Sequence, residues 1–313
     1  MPLDLLDTPI RATWTLSSDA SPPADEVVST ITQQLIAAGV FYLLLQPPSL
    51  KHPACRAVLH DLAAGGCQTE IICCGNEDEL LVLEERPLQH VGLWLDVTRF
   101  LADEIDIDPL KCVVQRLRQS GLNPGLLCPP VRQHLLKIPQ LINLCEMLEI
   151  ARFKLPNIGI DVTYQSSDRV QLPRSEDLAA LKKMLKNTWQ APPQLRLEIH
   201  DLFLWELLVP DAAQGREEYG GCQAANSLVH ITSQGDVYPC ISWPEKLGSL
   251  LTEDLGDIWE SEQRLRIRRE IAHVPSGCNG CLIVDDCHGG CRGLSRIFNK
   301  ELGQRDLLCS GKR

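Results

Sequence analysis

Along the first 155 residues the apolar positions switch repeatedly between a period of two and a period of about 3.6. From Ile10 to Leu16 every second residue is apolar, which predicts a strand, and the unbroken run Val40 to Leu45 predicts a buried one. Further strands are expected at Gln68 to Cys74, at Val91 to Asp96 (Val91, Leu93 and Leu95 alternate), at Gly125 to Cys128 and at Ala151 to Leu155. Helical segments lie between them. Ser21-Pro22-Pro23 offers an N-cap followed by first-turn prolines, Asp25 and Glu26 suit a helix N-terminus, and Gly39 is placed to stop that helix. A second helix runs from Ala54 to Ala64 and ends at Gly65-Gly66, and apolar spacing predicts two more over 109–120 and 131–149. Alternating strands and helices define an α/β chain with a parallel sheet and right-handed crossovers. Six strands are expected, open or curled into a partial (β/α)6 barrel.

In such folds chemistry sits in loops at the carboxyl ends of strands. Here those loops are Ser17 to Pro23, Gln46 to Ser49 and Gly75 to Asp78. They carry no phosphate-cradling glycine pattern, nucleophile elbow or His/Asp/Glu ligand cluster. A bridge follows. Arg174-Ser175-Glu176-Asp177 opens a helix to Lys186, Ala191-Pro192-Pro193 breaks the chain, Leu195, Leu197 and Ile199 alternate as a strand, and Asp201 to Leu208 forms a short helix. The polar, glycine-containing stretch Pro210 to Gly221 marks a boundary. Three parts are therefore expected: a barrel over 1–172, a bridge over 173–221 and a small cysteine-rich domain over 222–313.

Charge and cysteine content narrow the chemistry. A formal charge of -11 leaves no basic face for phosphates, so nucleic acid and anionic membrane are poor partners. The opening MPLDLLDTPIR lacks a basic signal region and no apolar run is long enough to span a bilayer, which predicts a cytoplasmic protein. In that setting the 14 cysteines are reduced thiols, some of them metal ligands. Cys55, Cys67, Cys73, Cys74, Cys112, Cys128 and Cys145 lie in apolar surroundings and are expected to be small buried hydrophobes. Cys73 and Cys74 are adjacent on a strand and point to opposite faces, which argues against a thiol-redox pair.

The other seven crowd the last third among glycines and polar residues. Leu228 to Thr232 and Asp236 to Tyr238 form hairpin arms around Ser233 to Asp236, so their flanks bring Cys222 and Cys240 toward one site. Thr252 is placed to cap a helix with Glu253 and Asp254 in its first turn and Leu255, Ile258 and Trp259 on its apolar side. Then comes C-x2-C-x5-C-x3-C at Cys278, Cys281, Cys287 and Cys291, with Cys309 following. Gly277, Gly280, Gly289 and Gly290 let backbone amides approach sulfur. Cysteine-only donors with glycine turns suit iron-sulfur clusters or structural zinc, and spacing alone leaves both open. Seven thiols are one short of two closed four-thiolate sites, and three thiols with a foreign fourth position suit a cluster better than zinc. His288 and Asp285-Asp286 are expected on a solvated loop surface.

The whole array, C-x12-G-x4-C, a gap, C-x2-C-x5-C-x3-C, a gap and C, resembles the seven-cysteine SPASM domain found behind radical S-adenosylmethionine (SAM) barrels. "HITSQGDVYPC", "LGSLLTEDLGDIW" and "CHGGCRG" resemble that family's hairpin, connecting helix and cysteine loop. The resemblance covers residues 222–313 and implies two auxiliary iron-sulfur clusters, usually of the 4Fe-4S type. By matching positions Cys278, Cys281, Cys287 and Cys309 would hold an outer cluster, and Cys222, Cys240 and Cys291 an inner one beside the barrel. Many relatives add an eighth cysteine just upstream of the first. Here that place reads Gly215-Arg-Glu-Glu-Tyr-Gly220, which leaves an open iron, a smaller nuclearity or a ligand such as Glu217 or Glu218.

The first two thirds resemble the radical enzyme barrel with one departure. The family carries C-x3-C-x2-C after its first strand, for the cluster that binds and cleaves SAM. Here the text is "TWTLSSDASPPADEV", without a cysteine, and the family's GGEP-like turn is replaced by Gln46-Pro47-Pro48-Ser49. The resemblance therefore implies a degenerate barrel with no catalytic residues assigned, no bound SAM and no independent SAM cleavage. The whole-chain pattern is similar to the SPASM proteins of GeoRSP systems, companions of a radical SAM/SPASM enzyme and a PqqD-like peptide-binding protein. It implies a non-catalytic accessory protein in the maturation of a precursor peptide, as electron relay or scaffold. Two alternatives stand beside it: an independent enzyme using an open iron of the inner cluster, and a zinc-stabilised interaction module.

Overall fold

The computed structural model describes residues 5–16, 23–85, 88, 90–159, 172–185, 189–209, 220–299 and 303–312. Strand and helix alternate as the hydrophobic periods predict. The order is β1 (Arg11–Thr15), α1 (Asp25–Ala37), β2 (Tyr42–Gln46), α2 (Cys55–Ala64), β3 (Gln68–Cys73), α3 (Glu77–Glu85), β4 (Gly92–Asp96) and α4 (Ile107–Gln119). It continues with β5 (Gly125–Leu127), α5 (Ile138–Met147), β6 (Arg152–Leu155), α6 (Ser175–Leu185), β7 (Arg196–Ile199) and α7 (Leu202–Leu208). Strands β1 to β7 are parallel and lie side by side in chain order. This is the α/β architecture of a partial, radical SAM-like barrel.

Successive side chains of a strand face opposite ways, and here that alternation builds two cores. Leu43 and Leu45 of β2, Ile71 and Cys73 of β3, and Leu93 and Leu95 of β4 pack outward with Ile31 and Leu35 of α1 and Leu59 and Leu62 of α2 in one large apolar cluster. Leu44, Ile72, Trp94 and Leu127, on the other face of the same strands, form a separate cluster inside the barrel.

The last third joins the same sheet. β8 (Leu228–Ile231) pairs in parallel with β1, Arg11 opposite Leu228 and Trp14 opposite Ile231, and β9 (Asp236–Tyr238) and β10 (Gly248–Ser249) continue antiparallel. Four helices follow: α8 (Leu255–Glu260), α9 (Glu262–Ala272), α10 (Val284–Cys287) and α11 (Arg292–Asn299).

Three helix starts differ from expectation. Ser21 and Pro22 lie outside the described residues, and α1 is entered from Ala24, whose side chain makes no cap. The segment expected to be helical from 131 becomes an α-helix only at Ile138, with Pro139 in its first turn, where a missing N–H costs nothing. The helix after Thr252 begins at Leu255 behind Asp254, while Leu255, Ile258 and Trp259 are buried as expected. Helices α3, α9, α10 and α11 lie beyond the elements that periodicity predicts; in α3 and α9 charged residues dilute the apolar stripe. In α9, Arg264 and Arg268 are themselves buried: Arg264 donates to the Ala225 and Leu6 carbonyls, and Arg268 to those of Cys222 and Ala224.

Candidate metal centre

The seven C-terminal cysteines gather in two groups. Cys278 ends a short 3-10 turn, the Cys281 N–H donates to its carbonyl at 3.0 Å, Cys287 closes α10, and the Cys309 N–H donates to the Asp306 carbonyl at 3.2 Å. These four thiols line one common space, together with Gly277 and Gly289. Burial raises the Cys278 thiol above its ordinary pKa, and the neighbouring Cys287, Cys309 and Cys281 raise it further. The second group is Cys222, Cys240 and Cys291. Burial first, and then Cys222, Asp306 and Cys240, push Cys291 well above the ordinary range, and burial with Cys222 pushes Cys240 up to about 12. Sequence neighbours Cys287 and Cys291 thus belong to different groups.

Local structure sets these positions. The hairpin β8–β9 delivers Cys240, and Asn157, just past β6, donates its amide to the Cys240 sulfur at 3.9 Å. Ser242 Oγ donates to Asn157 Oδ1 at 2.6 Å and fixes which way that amide points. Cys291 precedes α11, and its N–H donates to Asp306 Oδ2 at 2.5 Å, while Leu308 N–H takes the other oxygen at 2.7 Å. A single buried carboxylate therefore holds Cys291 of one group and the residue before Cys309 of the other. Gly290 is required here: its φ is +68° and a Cβ would lie 2.5 Å from Asp306 Oδ2.

The donor set fits iron-sulfur clusters. Thiols surround atom-free space, and Arg292, buried, sits within electrostatic reach of Cys222, Cys278 and Cys291 while donating to the His273 carbonyl at 2.9 Å. A cation shared by both groups compensates an anionic thiolate cluster. Among the described residues no three His, Cys, Asp or Glu side chains make a single-ion cage; the four outer thiols line one common space instead.

Other candidates fall elsewhere. His288 is left-handed (φ 49°) and leans on Gly221, where a Cβ would lie 2.9 Å from the His288 Cβ, so it is half-buried instead of lying on a solvated surface. Asp285 is exposed, as expected, and Asp286 half-buried. Glu217 and Glu218 lie outside the described residues. Of the N-terminal cysteines, Cys55, Cys67, Cys73, Cys128 and Cys145 are buried, but Cys112 is exposed on the polar face of α4 and Cys74 is half-buried past the end of β3.

One polar site went unnoticed in the sequence. Inside the barrel Glu70, 4% exposed, accepts hydrogen bonds from Trp94 Nε1 (2.5 Å), the Tyr42 hydroxyl, Arg152 (2.6 Å) and Lys154 (3.4 Å), and Lys154 also pairs with Glu198 at 3.0 Å. Burial alone would raise the Glu70 carboxyl; the Trp94 and Tyr42 hydrogen bonds, Lys154 and Arg152 outweigh it and hold the group below its ordinary value. The signal in the sequence is charge at inward positions of β3, β6 and β7: Glu70, Arg152 and Lys154, and Glu198. Beside this network runs an open lumen of about 550 Å³, lined by Tyr42, Lys154, Glu198 and His200 and reaching Cys240.

Residues 222–282 match the family model SPASM, described as an iron-sulfur cluster-binding domain. No curated protein matches the chain. Among solved structures, Streptococcus suis SuiB bound to S-adenosylmethionine is similar at a TM-score of 0.70 and 18% identity over 98% of this chain and 79% of SuiB. SuiB bound to precursor peptide SuiA gives 0.70 and 18% over 98% and 77%. Native anSMEcpe with bound AdoMet gives 0.67 and 12% over 96% and 94%. Residues 222–282 thus carry a SPASM iron-sulfur cluster-binding domain, and the chain as a whole has the fold of SuiB and anSMEcpe, with no C-x3-C-x2-C motif in its sequence.

Proposed function

We propose that this protein is a non-catalytic, cluster-bearing accessory subunit of a radical SAM/SPASM enzyme acting on a ribosomal precursor peptide. Cys278, Cys281, Cys287 and Cys309 hold the outer 4Fe-4S cluster and Cys222, Cys240 and Cys291 anchor the inner one. Such clusters supply one-electron transfer. The protein's own residues orient the thiols, with Asp306 tying Cys291 to the Cys309 segment and Arg292 compensating both groups. One observation carries this reading: two thiol groups are assembled beside a barrel whose first loop has no cysteine to hold a SAM-cleaving cluster. The peptide context is supported by the fold shared with SuiB, which has been solved with precursor peptide SuiA. The resemblance to the SPASM proteins of GeoRSP systems adds a PqqD-like protein as the expected carrier of that peptide.

The test is reconstitution under anaerobic conditions. The full chain is expected to take up about eight irons, and replacing both Cys278 and Cys309 by Ala is expected to remove about half of them. Addition to its cognate radical SAM/SPASM enzyme is expected to form a complex and change turnover; no complex and no change would sink the accessory role. One observation favours a second reading, an enzyme in its own right: the lumen reaches Cys240, so a substrate has a path to the inner site. A candidate peptide that perturbs the inner cluster's EPR signal without any partner enzyme would support that reading over the first.

A further inference from the structure

Where the barrel meets the inner thiols, a polar side chain of the barrel touches a sulfur. Building on the cluster reading above, we propose that Asn157 is a positioning and tuning residue of the inner site, whose amide N–H, donated to the Cys240 sulfur, raises the reduction potential of the cluster held there.

Asn157 lies just beyond β6. The end of that strand is held by the His200 N–H on the Leu155 carbonyl at 3.0 Å, and Pro156 fixes the backbone φ between Leu155 and Asn157. From there Asn157 Nδ2 stands 3.9 Å from Cys240 Sγ, across 83 positions of sequence. The other end of the amide is held as well. The Ser242 hydroxyl, fully buried, lies 2.6 Å from Asn157 Oδ1 and 2.6 Å from the Ile158 carbonyl. Ser242 is itself braced by Gly293 of α11, where a Cβ would lie 3.1 Å from the Ser242 carbonyl oxygen. The end of β6, the segment after Cys240 and the segment after Cys291 therefore close on one amide. Asn157 also lines the lumen together with Cys240, so the barrel interior reaches the inner site through this group.

The chemistry follows from the acceptor. A thiolate bound to iron carries no proton and can only accept, so the end of the amide turned to it is the N–H end. Reduction adds negative charge to a cluster and its sulfurs. A donor aimed at a ligating sulfur then stabilises the reduced state more than the oxidised one, and hydrogen bonds to sulfur are among the levers that set cluster potentials. Backbone N–H groups of Ser242 and Trp243 face the same sulfur and stay in place in any variant of Asn157. Replacing Asn157 thus removes one donor and no ligand.

An EPR-monitored redox titration of the reconstituted full chain tests this, with the Cys278→Ala, Cys309→Ala double variant identifying the inner signal. Asn157→Leu is expected to keep its iron and to lower the inner potential while the outer one stays. Asn157→Asp, which exchanges the donor for a negative charge, should lower it further, and Ser242→Ala, which frees the amide, should give a smaller fall. An unchanged inner potential in Asn157→Leu, or an equal shift of both clusters, overturns the proposal. If Asn157→Leu fails to load, pulsed EPR of 15N-asparagine-labelled wild type decides: a weak nitrogen coupling to the inner cluster is expected, and its absence overturns the proposal. A wild-type chain that takes up no iron overturns the cluster reading itself, and with it this inference.

Discussion

Glu70 sits where the sequence shows only one acidic letter in an otherwise strand-like run, "QTEIIC". Its inward position makes it the counter-charge for Arg152 and Lys154, which also stack on the Trp94 ring at 4.2 and 4.5 Å. Removing a buried partner strands the charges left behind. Glu70→Ala is expected to destabilise the protein by about 3 kcal/mol, measured by chemical denaturation, and a loss below 1 kcal/mol would place the network in solvent-like surroundings. Because its folded pKa is lowered, Glu70 contributes fully above the ordinary carboxylate range, and that contribution disappears as pH falls through the lowered value. His230 acts in a different window. Burial pushes it from 6.5 down to about 4 despite a 2.8 Å hydrogen bond with Thr13, so below pH 6.5 the unfolded chain takes up the proton first. Stability is expected to decline as pH falls from 6.5 toward 4, and His230→Gln should flatten part of that decline. An unchanged pH profile in the variant would count against a buried neutral imidazole.

At the scale of elements, close packing inside the barrel sets the spacing of β4 and β5. Gly125 starts β5, and a Cβ there would lie 2.4 Å from the Trp94 ring. Gly125→Ala is expected to cost about 1–3 kcal/mol through overpacking, read as a lower denaturation midpoint at unchanged slope; a neutral effect would mean that the indole has room to move. The strands were legible because their outward residues, such as Leu43, Leu45, Leu93 and Leu95, are uniformly apolar. What periodicity hid is the inward face, where Glu70, Arg152 and Lys154 alternate with apolar neighbours and resemble a solvent-facing row. Helix α9 was hidden for a similar reason. Its buried positions include Arg264 and Arg268, whose guanidinium groups satisfy loop carbonyls in place of apolar contacts. Ser261 Oγ caps it at 3.2 Å, a signal visible in the sequence but too common to act on alone.

Across the whole molecule a ten-stranded sheet links the barrel to the cysteine-rich region, since β8 pairs with β1. This continuity brings Cys240 to the ends of β6 and β7, so the inner thiols meet the barrel lumen directly. The thiol spacing was legible as a metal-site pattern, because C-x2-C turns need few long-range contacts. Asp306 was not, because its role arises only when segments distant in sequence meet. No helix among the described residues is long and apolar enough to cross a membrane. The central claim is that clusters persist here without the SAM-cleaving one. It is tested most directly by incubating the reconstituted, reduced protein with SAM and quantifying 5'-deoxyadenosine. An accessory protein with about eight irons per chain should form none above the protein-free background, whereas formation of 5'-deoxyadenosine by this protein alone would contradict it.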